Sequence, residues 1–327
     1  MTQMITVTGA TGCVGKELVT QLLAQGDSVL AFSSDEAQLR AYLADHGIIA
    51  DNDALIVVPR NDFDALKAHP VELLINCAFP RSDEGKALAA GMQYAQSLFE
   101  AARDARVGGV VNISSQSVYS QTREHEATES EPICPDGKYA VAKYAVEMIA
   151  DLVLADLPHT NIRLASLFGS TFGQRFVNFF VKQMVANKPI KVRGFEQEYG
   201  FLDYRDAALG LAAMVGSDPA AWKPVYNLGP HVGGYTMDRI LHTTVDVAKS
   251  RGLKPSFSVE YDCPWFNSSL NSELFEHDFN WSSRYTLKDT IEDIFNTTTS
   301  AEPTTPALAQ KENTERKPKK RFGIFGK

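Results

Sequence analysis

Long hydrophobic runs are missing from this chain of 327 residues: none approaches the roughly eighteen apolar residues that a membrane helix needs. The N-terminus enters a β-pattern without a charged and then apolar leader. The body is therefore expected to be neither secreted nor membrane-embedded. Cysteine is scarce as well: Cys13, Cys77, Cys134 and Cys263 stand far apart, with no CxxC pair and no disulfide framework. That usage suits a reducing cytoplasm, and no metal site is expected. Positive charge is in deficit, with 32 Lys and Arg against 40 Asp and Glu, a formal net charge of -8. This removes bulk attraction to nucleic acid and leaves small molecules as the expected partners.

The first half alternates apolar strands with amphipathic helices, which predicts a doubly wound, mainly parallel α/β sheet. Met4–Val7 reads as a buried strand, followed by Thr8-Gly9-Ala10-Thr11-Gly12-Cys13-Val14-Gly15 and a helix over 16–25. Three glycines at steps of three let the backbone turn, approach a pyrophosphate and seat a helix N-terminus against it. Gly9, Thr11, Gly12, Cys13, Val14 and Gly15 are accordingly cofactor candidates, against the plainer reading of a tight turn.

The second strand, 28–32, ends at Ser33, where a carboxylate would bind the ribose hydroxyls of NAD. A hydroxyl there tolerates a 2′-phosphate and Arg40 is within plausible reach, so NADP is slightly favoured, while Asp35 keeps NAD open. After a third strand over 54–58, Asp62 and Phe63 are placed at the adenine edge, with an ordinary helix cap as the alternative. Cys77 and Ala78 close a fourth strand (71–77) where the inner ribose should lie. A helix over 84–103, a fifth strand over 107–113 and the serine cluster Ser114-Ser115 follow, with turn chemistry as the serines' plainer reading. Further strands are expected at 160–164 and 225–229. From about Asn296 the composition predicts disorder, and from Lys311 to Lys327 seven Lys or Arg face two Glu, net +5, a basic tail suited to anionic lipid, a partner protein or mere solubility.

Tyr139 and Lys143, four apart on a helix, share one face. A free tyrosine titrates at about 10, so its use as a base near neutrality needs roughly three units, about 4 kcal/mol. The Lys143 ammonium and an oxidised nicotinamide are expected to supply it. Alone, such a pair is commonly a plain surface pair; the glycine loop upstream reverses that judgement.

These residues together resemble the extended short-chain dehydrogenase/reductases, which include nucleotide-sugar epimerases and dehydratases, over 4–295. The resemblance rests on Thr8 to Gly15, on Ser114-Ser115 with Val118-Tyr119, and on Tyr139 with Lys143. It implies Ser115, Tyr139 and Lys143 as catalytic residues, with Lys143 and Tyr139 also touching the nicotinamide ribose. It further implies a Rossmann domain over 1–165, with 203–230 returning to it, and a smaller, mostly helical substrate lobe over 166–202 and 231–296. Residues 297–327 form the tail, and the resemblance admits a homodimer through two sheet-flanking helices.

Departures from the family pattern bear on substrate. Gln116-Ser117 stand where sugar-nucleotide 4,6-dehydratases carry Asp-Glu, which argues against that elimination. Ser166 and Tyr199 replace an Asn and a diphosphate-binding Arg of many epimerases; with Ser115 and Arg175 they are the substrate-binding candidates. The leading reading is an NAD(P)-dependent epimerase or reductase of a nucleotide sugar. The alternatives are the same hydride chemistry on a ketone or alcohol without a nucleotide, and a non-catalytic nucleotide-binding regulator.

Overall fold

The computed structural model describes residues 4–51, 53–173 and 175–300. Strand and helix alternate from the start: β1 (Met4–Thr8), α1 (Cys13–Gln25), β2 (Ser28–Ser33), α2 (Glu36–Asp45), β3 (Leu55–Pro59), the single turn α3 (Ala65–Ala68), β4 (Val71–Asn76), α4 (Gly85–Ala105), β5 (Gly109–Ile113), α5 (Lys138–Val153) and β6 (His159–Leu164). The second half holds β7 (Ser166–Phe168), α6 (Phe176–Val185), β8 (Ile190–Arg193), β9 (Glu198–Tyr199), β10 (Phe201–Asp203), α7 (Tyr204–Ala212), β11 (Val225–Leu228), β12 (Tyr235–Thr236), α8 (Met237–Ser250), β13 (Phe257–Glu260), α9 (Glu273–Phe279) and α10 (Leu287–Ser300).

Seven strands form one sheet in the order β11-β6-β5-β4-β1-β2-β3, all parallel. Parallel strands covered on both faces read as continuous apolar runs, and Leu73-Leu74-Ile75 and Val110-Val111 are such runs, buried throughout. On one face α1 packs with α7, joining Leu18 and Leu22 to Leu211; on the other α4 packs with α5, joining Leu98 and Phe99 to Val146 and Ala150. The chain reverses its direction of sheet growth between β1 and β4, which opens a crevice at the carboxyl ends of those strands.

A row of polar side chains crosses the sheet near that edge. Thr8 Oγ1 donates to Asn76 Oδ1 at 2.7 Å, Asn76 Nδ2 to Asn112 Oδ1 at 3.1 Å, Asn112 Nδ2 to Asn161 Oδ1 at 2.8 Å, and Asn161 Nδ2 to Asp151 Oδ1 at 3.1 Å. Thr8 with Asn76, Asn76 with Asn112, and Asn112 with Asn161 are register partners on adjacent strands.

α6, α8 and α10 form a smaller lobe with three two-stranded sheets, β7 with β10, β8 with β13 and β9 with β12, while α9 packs on β11 of the large sheet through Phe275 and Phe279. The disorder expected from Asn296 begins too early. α10 runs on to Ser300, because Ile291, Ile294 and Phe295 are buried against Leu241 and Val245 of α8 and carry the helix past the change in composition. The basic tail from 301 lies outside the described residues.

Candidate functional site

After β1 the backbone turns at Gly9 into the left-handed region, φ +64°, where a Cβ would stand 3.0 Å from the Ala78 Cα. The Gly12 N–H donates to the Gly9 carbonyl at 2.8 Å, which closes the turn and delivers the chain to α1. At Gly15 a Cβ would lie 2.2 Å from that same carbonyl oxygen. Glycine is thus required at the turn and at the helix contact alike. Gly15→Ala should overpack this contact at about 1–3 kcal/mol. A thermal melt is expected to show a lower Tm that added NAD no longer raises; an unchanged NAD-dependent rise would refute the cradle.

The cradle opens into a chamber of 450 Å³ lined by Gly9, Thr11, Gly12, Ser34, Arg60, Ala78, Phe79, Gly91 and Tyr94 among others. Cys77 and Phe79 also line a second chamber of 490 Å³, which holds Ser115, Tyr139, Lys143, Ser166 and Arg175. The two chambers share Cys77 and Phe79, which follow directly on β4. Burial pushes the Cys77 thiol at their junction up to about 12, so it stays protonated at neutral pH.

Several expected residues stand elsewhere. Asp62 and Phe63 line neither chamber: the Phe63 ring packs 6.2 Å from Phe32 and 5.5 Å from Tyr94, and the Arg60 guanidinium over the Tyr94 ring occupies the edge instead. The Ser33 hydroxyl is buried and accepts from the Asp35 N–H at 2.9 Å, while Ser34 faces the chamber. Arg40 is paired with Glu36 at 2.7 Å on α2, beside Leu43 and Ile48. Cys13, Val14 and Gly15 form the first turn of α1, directly after the lining residues Thr11 and Gly12. Tyr199 is a packing residue, between Phe176, Phe201 and Phe266 at 5.0–5.4 Å.

In the second chamber Ser115 caps the 3₁₀ turn 116–118, its hydroxyl 2.9 Å from that of Ser117 and accepting the Ser117 N–H. The Tyr139 hydroxyl makes no hydrogen bond among the described residues, and burial raises its pKa above the usual tyrosine value. The charges opposing that rise are Arg81 and Arg175 rather than Lys143. Lys143 donates to the Ile113 carbonyl, lies 4.6 Å from the centre of the Phe79 ring, and is buried. Phe79 also meets Tyr139 edge-on at 6.0 Å, so one aromatic ring contacts both members of the pair.

Burial brings Lys143 itself down to about 8, opposed by Glu147 and Cys77. Its charge is present below that value and lost as pH rises through it. The kcat/KM profile, which reports the free protein, should fall through an alkaline limb near 8, and Lys143→Arg should remove that limb. A limb unmoved by the substitution would exclude Lys143 as its source.

One feature that the sequence reading missed holds this segment together. Glu147, one turn beyond Lys143, accepts from the Ser114 hydroxyl and pairs with Arg163 of β6 at 2.8 Å. Arg163 also donates to the Tyr119 hydroxyl at 2.9 Å, which donates to Asn227 of β11 at 2.8 Å. The signal was present as a Glu at i+4 from Lys143 together with an Arg inside a strand, but only the fold makes them neighbours.

The sheet order, glycine turn and crevice define a Rossmann-type, dinucleotide-binding α/β protein. The model of the NAD dependent epimerase/dehydratase family matches residues 5–229, more than half of the chain, and the chain belongs to that family. It is 28% identical over 270 residues to a UDP-glucose 4-epimerase of Mycolicibacterium smegmatis, covering 77% of this chain and 84% of the relative. Among solved structures, it is similar to the UDP-glucuronic acid 4-epimerase of Bacillus cereus in complex with UDP-glucuronic acid and NAD, with a TM-score of 0.76, 18% identity, and coverage of 91% and 99%. The dTDP-glucose 4,6-dehydratase of Bacillus anthracis, in complex with NAD, superposes with a TM-score of 0.74, 18% identity, and coverage of 92% and 97%. The family name gives NAD; the tilt toward NADP finds no support, since Ser33 and Arg40, its two residues, are engaged elsewhere.

Proposed function

We propose that this chain is an NAD-dependent epimerase of a nucleotide-activated sugar. The observation that carries the reading is the joining of the glycine cradle to a chamber lined by Ser115, Tyr139 and Lys143. Residues 4–165 and 203–230 would hold the cofactor, and 166–202 and 231–300 would cover the sugar.

The cradle fits the group: at Gly9 and Gly15 backbone stands where a side chain would obstruct close approach, and Arg60 and Tyr94 close the far end. Gly9, Thr11 and Gly12 would hold the pyrophosphate, Ser34 the adenosine ribose, and Cys77, Ala78 and Lys143 the nicotinamide half. When bound, NAD supplies a hydride acceptor beside the sugar carbon. Ser115 donates a hydrogen bond to the reacting sugar oxygen and holds it in place. Tyr139 takes the proton of that hydroxyl through its Oη and returns it when the carbon is reduced again. Lys143 provides the buried cation that favours the phenolate. Ser166 and Arg175 orient the sugar. Gln116 and Ser117 offer no carboxylate for eliminating water: Gln116 instead donates to Ser166 Oγ at 3.4 Å, which favours epimerisation over dehydration.

Unfolding the purified protein and weighing what is released tests this. About one NAD per chain is expected, because an epimerase regenerates its cofactor in place. An empty protein would sink the epimerase and favour a reductase that exchanges its cosubstrate. The apolar Leu167 and Phe172 on the chamber wall favour a second reading, a ketone or alcohol without a nucleotide. Protection by UDP against thermal unfolding separates the two, since only a nucleotide-sugar site should show it.

A further inference from the structure

Ser114, Ser115, Gln116 and Ser117 follow β5 and all line the second chamber. Two of them are committed elsewhere. Ser114 gives its proton to Glu147, and Gln116 donates to Ser166 Oγ at 3.4 Å while its Oε1 accepts from Gln121 at 3.1 Å. The other two are left to each other. The Ser117 N–H donates to Ser115 Oγ at 3.2 Å, the two hydroxyls stand 2.9 Å apart, and neither hydroxyl has another hydrogen-bond partner among the described residues.

A hydroxyl has one proton to give and two lone pairs with which to accept. On Ser115 the Ser117 N–H occupies one lone pair. The contact between the two hydroxyls can run in either direction, and the directions give Ser115 opposite chemistry. If Ser115 donated, its proton would be spent on Ser117, and it would meet the sugar with a free lone pair that competes with Tyr139 for the departing hydroxyl proton. If Ser117 donates, both lone pairs of Ser115 are filled and its proton is left for the sugar oxygen. That oxygen loses its own hydrogen as the carbon is oxidised, so a donor beside it is needed throughout. We propose that Ser117 is a positioning residue: its hydroxyl donates to Ser115 and thereby fixes Ser115 as the hydrogen-bond donor to the reacting oxygen. The inference rests on the role given to Ser115 under the nucleotide-sugar reading above and adds a residue to it.

UDP-glucose and UDP-glucuronic acid serve as probes, with epimer formation by the full NAD-loaded chain as the readout. Ser117→Ala should lower kcat by about three- to tenfold, the worth of one hydrogen bond, with KM nearly unchanged, because the contact matters as the oxygen reacts and not as the sugar binds. Ser117→Thr, which keeps a hydroxyl, should restore most of the rate. In a Ser115→Ala background Ser117→Ala should cost nothing further, since its effect passes through that one hydroxyl. A wild-type kcat in Ser117→Ala, or a rise in KM alone, would overturn the inference. So would an equal loss in both backgrounds, which would put Ser117 on the sugar itself. Turnover of neither probe by the NAD-loaded wild type would overturn the nucleotide-sugar reading together with this inference, whereas the other failures leave that reading standing.

Discussion

Tyr139→Phe should lower turnover on the true substrate by about 10²–10⁴-fold, the usual contribution of a positioned general acid–base. The substitution is clean because the ring keeps its edge contact with Phe79 at 6.0 Å and the hydroxyl removed has no hydrogen-bond partner among the described residues. Stability and NAD content should therefore stay close to wild type, so that a loss of rate cannot be blamed on folding. The same geometry defines what the tyrosine needs. In the free protein burial holds its proton on, and the two arginines only moderate this. Under the proposed reading the phenolate becomes accessible when a bound cofactor and Lys143 come to bear together. Single-turnover assays of the variant, with bound NAD confirmed by mass, are the measurement. Near-normal turnover would remove Tyr139 from the chemistry and with it the epimerase reading.

Arg163→Leu should destabilise the protein by about 3–5 kcal/mol, the cost of leaving a buried carboxylate without its cation. The Arg163 and Glu147 side chains are only 8% and 4% exposed, so water cannot take the place of the missing guanidinium. The loss should spread, because Arg163 also fixes the Tyr119 hydroxyl, and Tyr119 ties the serine segment to Asn227. Denaturant titration measures it. The double variant Glu147→Leu/Arg163→Leu should regain a substantial part of the stability, since replacing both partners with apolar groups removes the unpaired charge. A double variant as unstable as the sum of the single ones would mean that the pair does not act as a unit. Activity should not return with stability in the double variant, because Glu147 no longer holds the Ser114 hydroxyl next to Ser115.

The fold was legible where local pattern and tertiary role coincide. Strands such as Leu73-Leu74-Ile75 are apolar because both faces are covered, and Gly9 and Gly15 are glycines because backbone stands where a Cβ would go. Ser115, Tyr139, Lys143, Ser166 and Arg175, far apart in the chain, line one chamber. What escaped the sequence depends on which way a side chain turns. Ser33 and Ser34 differ by one position on an extended strand end, and pleat alternation sends the first inward and the second toward the cofactor chamber. Phe63 and Tyr199 are aromatic residues that packing claimed before the site could, a choice made by neighbours far away in the chain.

The polar row from Thr8 through Asn76 and Asn112 to Asn161 has a consequence for how this sheet assembles. Aliphatic strands such as β4 and β5 look nearly the same to one another after a slide of two residues, so oily packing alone would accept several alignments. The amides do not. A slide of one residue turns each of them to the opposite face, and a slide of two between β4 and β5 sets Asn76 against Val110 or Asn112 against Leu74. Every amide so orphaned costs about 1–3 kcal/mol. The row thus works as a checksum on strand alignment: it contributes little while the sheet is correct and penalises each error separately. It sits at the edge where both chambers open, the one place in the sheet where a misalignment of a single residue would separate the glycine cradle from the serine and tyrosine that it has to serve.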